Sequence, residues 1–161
     1  MSSIKNKFTL NIILLFSIFA LITAYFIQYI LGHEPCNLCL IERIPYFVAV
    51  ILISLIFILN KYEKFFSLIM GLFFIFGSII SFYHFGIEQG FFSESLVCDL
   101  GNYNTASSTQ DLLKQLEKKT VSCKDVTFKI LGFSLATFNT VFSFILSVIM
   151  IKNIKNYGKN R

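Results

Sequence analysis

The chain has 161 residues, of which 55% are hydrophobic and only 14% are charged. A soluble domain would carry about 25% charged residues, so this composition excludes an ordinary soluble domain and indicates one compact unit in a lipid bilayer. The net charge of +5 does not indicate nucleic-acid binding, because the basic residues flank apolar segments and form no stripe with interleaved aromatic residues.

Long apolar stretches predict four transmembrane helices, at residues 8–32, 40–60, 65–87 and 130–151. At about 1.5 Å of rise per residue, three of them can cross a hydrocarbon core of about 30 Å. The uncharged part of the second runs only from Ile44 to Asn60, so this span must include its flank from residue 40, with Arg43 reaching the interface. The first stretch is longer than the apolar part of a signal peptide and has no small-residue cleavage motif. We therefore predict an all-α membrane protein, a single four-transmembrane-helix bundle over residues 1–161.

The basic residues predict the orientation of this bundle. Eight of them, with Glu63 as the only acid, lie at the two termini and in the turn between the second and third spans: Lys5, Lys7, Lys61, Lys64, Lys152, Lys155, Lys159 and Arg161. The positive-inside rule then places both termini in the cytoplasm and the loops 33–43 and 88–129 outside. Within the second loop, the segment Ser108–Lys118 predicts a short helix, either amphipathic on the membrane surface or simply solvated.

All four cysteines, Cys36, Cys39, Cys98 and Cys123, fall in the two outward loops. An even number on an oxidising face indicates disulfides. The first two form a Cys-x-x-Cys motif just after Pro35, a residue that suits the first position of a helix. A helix N-terminus stabilises a nearby thiolate, so this pair is predicted to exchange disulfides readily.

Other interpretations of the cysteines remain open at this stage. The Cys-x-x-Cys pair could form a structural disulfide, whereas a zinc site would need a second close pair, and Cys98 and Cys123 are too far apart in sequence to provide one. We therefore predict no metal. Alone, Cys98 and Cys123 would form a structural crosslink. Beside a reactive pair, they can instead pass a disulfide to it through a mixed disulfide.

Two further residues are candidates for a binding site. Helical spacing would put Arg43 on the same face as Cys39, four residues earlier, where its guanidinium could stabilise a thiolate or an oxyanion on a bound electron acceptor. His84 lies at the outward end of the third span. It is predicted to be either an interfacial anchor or a hydrogen-bond partner and proton donor to a ligand.

Three motifs together resemble the bacterial disulfide bond formation protein B (DsbB) family over essentially the whole chain. The first is the Cys-x-x-Cys motif followed by Leu40-Ile41-Glu42-Arg43. The second is Tyr83-His84-x-Gly86-x-Glu88-x-Gly90, which leads to Cys98-Asp99. The third is Cys123-x-Asp125, followed by the run from Phe128 to Ala136 and by Asn139.

The resemblance implies a multi-pass protein of the bacterial inner membrane whose active cysteines face the periplasm. It implies oxidation of a periplasmic thioredoxin-fold dithiol protein (DsbA-like) and transfer of its electrons to ubiquinone or menaquinone. By the same resemblance, Cys98 is attacked by the partner and paired with Cys123, Cys36 receives the electrons, and Cys39 faces the quinone. Arg43 and His84 match family residues beside the quinone.

Two alternatives accompany this interpretation. A vitamin K epoxide reductase-like oxidoreductase also couples two cysteine pairs to a quinone, but its Cys-x-x-Cys comes late in the chain, whereas here it comes first. A non-catalytic membrane subunit would use its disulfides only to brace the outer loops.

Overall fold

The computed structural model describes residues 2–59, 62–94, 96–99, 121–124, 128–130 and 132–159. These residues form six helices and one two-stranded sheet. The elements in chain order are α1 (Ser2–Tyr29), α2 (Asn37–Ile41), α3 (Ile44–Leu59), α4 (Glu63–Glu88), α5 (Leu96–Asp99), β1 (Lys129–Ile130), β2 (Phe133–Ser134) and α6 (Leu135–Lys159). The predicted helix within Ser108–Lys118 lies outside the described residues.

Four segments are long and apolar enough to cross a membrane: Lys7–Tyr29, Asn37–Leu59, Glu63–Glu88 and Leu135–Lys155. The second contains both α2 and α3. This confirms the predicted all-α fold with four helices capable of spanning a bilayer. Many large apolar side chains on these helices point outwards, including Phe8, Phe19 and Ile58, as expected for surfaces that face lipid.

The bundle is organised around α4, which packs most extensively against α6 and also contacts α3. Helix α1 packs mainly against α3 and makes few contacts with α6. The buried core includes Ile53, Met70, Phe74 and Met150. Close packing of α3 on α4 depends on Gly77, because a Cβ atom there would lie 2.8 Å from Cγ of Pro45.

The start of the fourth long helix differs from the sequence prediction. Residues 130–134 were expected within a span, but β1 and β2 form a hairpin in which Lys129 pairs with Ser134. Gly132 takes a φ of 87° in its turn, a conformation that glycine adopts readily. Helix α6 then begins at Leu135, where the Ser134 hydroxyl accepts a 3.2 Å hydrogen bond from the Thr137 backbone N–H as an N-cap.

The helix that contains the Cys-x-x-Cys motif begins at Asn37, two residues later than expected from Pro35. Cys36 is the N-cap of α2, with extended backbone angles, so Pro35 precedes the cap rather than opening the helix. Helix α2 ends at Ile41, and Glu42 and Arg43 form a turn before α3. This turn places two charged residues at the junction of α2 and α3.

Candidate functional site

The four cysteines come together at one end of the bundle. Cys98 and Cys123 form a disulfide with a Cα–Cα distance of 5.8 Å, the pairing that the family resemblance implied. Both are buried in one cluster with Cys36, Leu38 and Ile87. The two cysteine pairs predicted from the sequence therefore lie beside each other.

Cys36 and Cys39 are not bonded to each other, but their sulfurs lie only 2.9 Å apart. The Cys39 backbone N–H also donates a 3.3 Å hydrogen bond to Cys36 Sγ. The pKa of the Cys36 thiol falls from 9.0 to about 4, chiefly because of the hydrogen bond with the Cys39 side chain, and His84 contributes. These effects outweigh burial, which acts in the opposite direction. The lowered pKa favours the thiolate form of Cys36.

His84 is buried and lies directly beside this pair. Its Nε2 atom is 3.5 Å from Cys36 Sγ, and its Nδ1 atom is 2.7 Å from Glu42 Oε1. Nε2 is also 3.7 Å from Oε1 of Glu88, one turn further along α4. The structure thus places His84 between the Cys36 sulfur and two carboxylates.

Glu42 is held on its other side by Asn139 of α6. The Asn139 side-chain amide donates a 2.8 Å hydrogen bond to Glu42 Oε2 and one of 2.6 Å to Ser81 Oγ. Its oxygen accepts a 2.5 Å hydrogen bond from the Tyr46 hydroxyl. This polar network joins three helices inside the bundle, where each unsatisfied polar group would be unfavourable.

Arg43 is anchored by residues of α1. Its Nη1 donates a 2.6 Å hydrogen bond to Gln28 Oε1, and its guanidinium carbon lies 5.1 Å from the centre of the Tyr25 ring. A planar guanidinium suits such a paired arrangement, in which a hydrogen bond and a ring contact fix its orientation. Arg43 and Cys39 line the same cavity, although α2 ends at Ile41 and Arg43 lies in the turn after it rather than on one continuous helix with Cys39.

This cavity has a volume of about 410 Å³. Apolar side chains from α1 and α6, which barely contact each other, form much of its wall. Its polar lining includes Cys36, Cys39, Glu42, Arg43, His84 and Glu88. A mainly apolar cavity with a few convergent polar groups is typical of a small-molecule site.

The same side chains raise the question of a metal. Ligand atoms of Cys36, Cys39 and His84 lie within 4.8 Å of one another. However, two sulfurs bound tetrahedrally to one zinc ion at about 2.3 Å would stand about 3.8 Å apart. The observed 2.9 Å between the two sulfurs is too short for that arrangement and suits a pair that forms and breaks a disulfide.

The sequence motifs contained three further site residues, Glu42, Glu88 and Asn139, without indicating what they do. The available signal was the presence of acidic residues at the edges of otherwise apolar spans, because ionisable groups inside membrane helices are usually functional. Their partners could not be identified, since the contacts join residues that are 42 and 97 positions apart.

Four helices capable of spanning a membrane, with a reactive dithiol packed against a disulfide, define a membrane-embedded thiol–disulfide oxidoreductase. A family model described as disulfide bond formation protein DsbB matches residues 6–152. The chain therefore belongs to the DsbB family, as its motifs predicted. One relative is an uncharacterized protein, RP370, of Rickettsia prowazekii (strain Madrid E), 28% identical over 150 residues that make up 91% of this chain and 87% of the relative. No solved structure matches the chain.

Proposed function

We propose that this protein is a quinone-dependent thiol oxidase. It re-oxidises a periplasmic, DsbA-like thioredoxin-fold protein and passes the electrons to a membrane quinone, which sustains disulfide bond formation. The observation that carries this proposal is the position of the Cys36–Cys39 pair. It packs against the Cys98–Cys123 disulfide on one side and lines the apolar cavity on the other.

The cavity suits a quinone head group in size and chemistry. Its volume of about 410 Å³ lies within the range of roughly 300–1,000 Å³ common for small-molecule sites. Arg43 offers hydrogen-bond donors, and His84 lies on the same wall. When bound, a quinone supplies a two-electron, two-proton acceptor. The protein has to hold the ring beside Cys39 and keep Cys36 ready to react.

The cysteine roles in this proposal follow the family resemblance. The partner's thiolate attacks Cys98, releases Cys123 as a thiolate and forms a mixed disulfide, which the partner's second thiol then attacks to leave Cys98 and Cys123 as a dithiol. The resulting dithiol then reduces the Cys36–Cys39 disulfide, in which Cys36 receives the attack and Cys39 leaves as a thiolate. Each cycle converts the partner's two thiols into a disulfide and delivers two electrons and two protons to the quinone. The same resemblance assigns Cys39 to the quinone side, and its place on the cavity wall supports that role.

Orientation is part of the proposal. The excess of basic residues at the termini and at the turn before α4 places those regions in the cytoplasm, and the cysteine end then faces the periplasm. Fusions of a periplasm-dependent phosphatase to the C-terminus should be inactive, and a fusion within the loop 88–129 should be active. The reverse pattern would contradict the proposed donor.

The activity is tested by quinone reduction with purified protein in detergent and a reduced thioredoxin-fold dithiol protein as donor. Wild type should turn over, whereas Cys39→Ser and Cys98→Ser should not. Ser54→Ala is a suitable control, because among the described residues the Ser54 hydroxyl bonds within its own helix, to Val50. Parallel assays with ubiquinone and menaquinone identify the acceptor.

Absence of turnover in folded wild-type protein supplied with quinone and donor would overturn the proposal. The disulfides would then serve to brace the outer segments, as in a non-catalytic membrane subunit. The family match disfavours the vitamin K epoxide reductase-like alternative.

A further inference from the structure

Both oxygens of the Glu42 carboxylate are engaged, and each bonds to a different helix. Oε1 lies 2.7 Å from His84 Nδ1 on α4, and Oε2 lies 2.8 Å from the Asn139 amide on α6. Glu42 is only 7% exposed. A buried carboxylate held in this way has one fixed position and one fixed direction of approach to the imidazole.

The Asn139 side chain has a defined orientation because of its other partners. Its NH₂ group faces Ser81 as well as Glu42, and its oxygen accepts from the Tyr46 hydroxyl. An inverted amide would place its oxygen against the carboxylate. Asn139 therefore presents a donor to Glu42, and Glu42 must accept from both neighbours.

This pattern determines which nitrogen of His84 carries its permanent proton. Nδ1 donates to Glu42, so Nε2 is the nitrogen free to gain or lose a proton. Nε2 lies 3.5 Å from Cys36 Sγ, a distance suited to a thiol–imidazole contact. An imidazole held by a carboxylate on one side and facing a nucleophile on the other is the arrangement that activates nucleophiles in many enzymes.

We propose that Glu42, fixed by Asn139, is a positioning residue that holds His84 so that Nε2 takes the proton of Cys36 and maintains the Cys36 thiolate. This inference rests on the proposed function and deepens it, since it assigns how the protein prepares the Cys36–Cys39 pair for oxidation. His84 acts on Cys36 directly, whereas Glu42 and Asn139 act through His84.

The Cys36 proton moves to His84 Nε2, and the thiolate forms the Sγ–Sγ bond with Cys39. Two electrons leave the dithiol for the membrane quinone of the proposed function. The protons of both thiols follow, that of Cys36 by way of His84. Glu88, 3.7 Å from Nε2, is placed to receive the proton from His84, and it is the last residue of α4, directly before the exposed Gln89.

Several other groups share this environment and bear on any pH dependence. Glu88 accepts a hydrogen bond from Ser134 at the start of α6. The titratable and charged groups that line the cavity, from every element around it, are His33, Glu34, Cys36, Cys39, Glu42, Arg43, Tyr46, His84 and Glu88. A test must therefore separate the contact made through His84 from a general effect of negative charge.

An effect of Glu42 through its charge and an effect through His84 predict opposite shifts in the pH at which the Cys36 thiolate forms in Glu42→Gln. If Glu42 acted only by its charge, Glu42→Gln would remove a negative group near Cys36 and lower the pH at which the thiolate forms. If Glu42 acts through His84, Gln cannot accept from both His84 and Asn139, because it has one oxygen and one NH₂ group. The imidazole then loses its fixed tautomer, and the thiolate forms at higher pH.

The experiment titrates Cys36 in full-length reduced protein carrying Cys98→Ser and Cys123→Ser, by ultraviolet thiolate absorbance, with the site assigned by alkylation and mass spectrometry. Glu42→Gln should raise the midpoint by about one pH unit or more, since a pKa is sensitive to the hydrogen bonds of the charged form. Asn139→Ala should raise it less. Glu34→Gln is the matched control, because Glu34 lines the same cavity but bonds to neither His84 nor Asn139 in the described part of the chain.

A double variant completes the test. His84→Ala should raise the midpoint by itself, and adding Glu42→Gln to it should cause no further rise. A fall or no change in Glu42→Gln, or an undiminished rise in the His84→Ala background, would overturn the inference. Tyr46→Phe, which only loosens Asn139, provides a milder variant if Glu42→Gln does not fold. The titration needs neither quinone nor donor, so its outcome is independent of whether the proposed oxidase activity is found.

Discussion

Asn37 donates a 2.9 Å hydrogen bond from its side-chain amide to the backbone carbonyl of Val97. The bond joins a residue inside the Cys-x-x-Cys motif to the residue that precedes Cys98. Helices α2 and α5 meet at this point, and the two cysteine pairs pack together beside it. Asn37, an x position of the Cys-x-x-Cys motif, therefore helps to hold the two cysteine pairs next to each other.

We predict that Asn37→Ala slows disulfide transfer between the two pairs. Loss of a hydrogen bond of about 0.5–1.5 kcal/mol should reduce the rate roughly two- to tenfold, measured by rapid quenching with the thioredoxin-fold donor. Asn37→Asp should behave in the same way, because a carboxylate cannot donate to Val97 O. Oxidation of the Cys36–Cys39 pair after direct chemical reduction should keep its wild-type rate. An equal loss in both reactions would show that Asn37 acts elsewhere.

The low pKa of Cys36 predicts an unusual pH dependence of its alkylation. A thiol with a pKa of 9.0 loses about tenfold in reactivity per pH unit below that value, because only the thiolate reacts. Because the pKa of Cys36 is lowered to about 4, the rate of its alkylation by iodoacetamide should stay nearly constant from about pH 8 to about pH 5. The rate should decline only as the pH approaches 4.

Cys39→Ala tests the cause of this behaviour. The Cys39 side chain is the largest contributor to the lowered pKa, so the variant should regain a steep pH dependence. The lowered pKa of Cys36 also makes the stability of the reduced protein depend on pH. A depressed pKa stabilises the folded reduced protein above the pKa of the unfolded thiol, and this stabilisation disappears as the pH falls from about 9 towards about 4. Flat alkylation in Cys39→Ala would assign the shift to His84 instead.

Arg43 should affect the acceptor side of the reaction. Arg43→Lys keeps the charge but loses the planar group that bonds to Gln28 and lies over Tyr25. We expect the KM for quinone to rise about tenfold, which corresponds to roughly 1.4 kcal/mol of binding. The KM for the protein donor should not change. Gln28→Ala should give a smaller rise of the same kind, and an unchanged quinone KM in Arg43→Lys would place the acceptor elsewhere.

Gly77 should limit how α3 packs on α4. A Cβ there would lie 2.8 Å from the Pro45 ring, so Gly77→Ala should destabilise the bundle by about 1–3 kcal/mol through overpacking. Gly71→Ala is the matched control on the same helix, because its Cβ would lie 3.6 Å from Met150, an ordinary contact. Alanine favours a helix by up to about 1 kcal/mol over glycine, so Gly71→Ala should be neutral or stabilising. Thermal unfolding in detergent measures both.

The membrane helices were predictable because lipid demands long apolar segments. The start of the fourth membrane helix was not predictable, since the uncharged and mostly apolar run from Ile130 to Leu135 is compatible with a helix, and periodicity does not show where a hairpin ends. Two local features set the start of α6: the positive φ of Gly132 and the N-cap that Ser134 provides.

The cysteines, Arg43 and His84 were predicted from the motifs and from the side of the membrane on which they lie. The structure brings Cys36, Cys39, Arg43 and His84 to one cavity, and the Cys98–Cys123 disulfide packs beside Cys36. The partners of His84 could not be predicted from the sequence, because they depend on how three helices pack together. Glu42 and Asn139 stand 97 positions apart. The spacing of apolar and polar residues within one helix does not predict a contact between two helices.

The Glu42 network also bears on how the chain is made. Glu42 belongs to the second membrane helix in order of synthesis, yet its partners His84 and Asn139 lie on the third and fourth. An uncompensated carboxylate opposes insertion of a membrane helix by up to about 3 kcal/mol. The newly inserted second helix therefore carries a carboxylate that gains His84 only when α4 is made and gains Asn139 only when α6 emerges from the ribosome. Glu42 is bonded on both sides only at that late stage of biosynthesis, so a chain truncated before α6 cannot form the complete network.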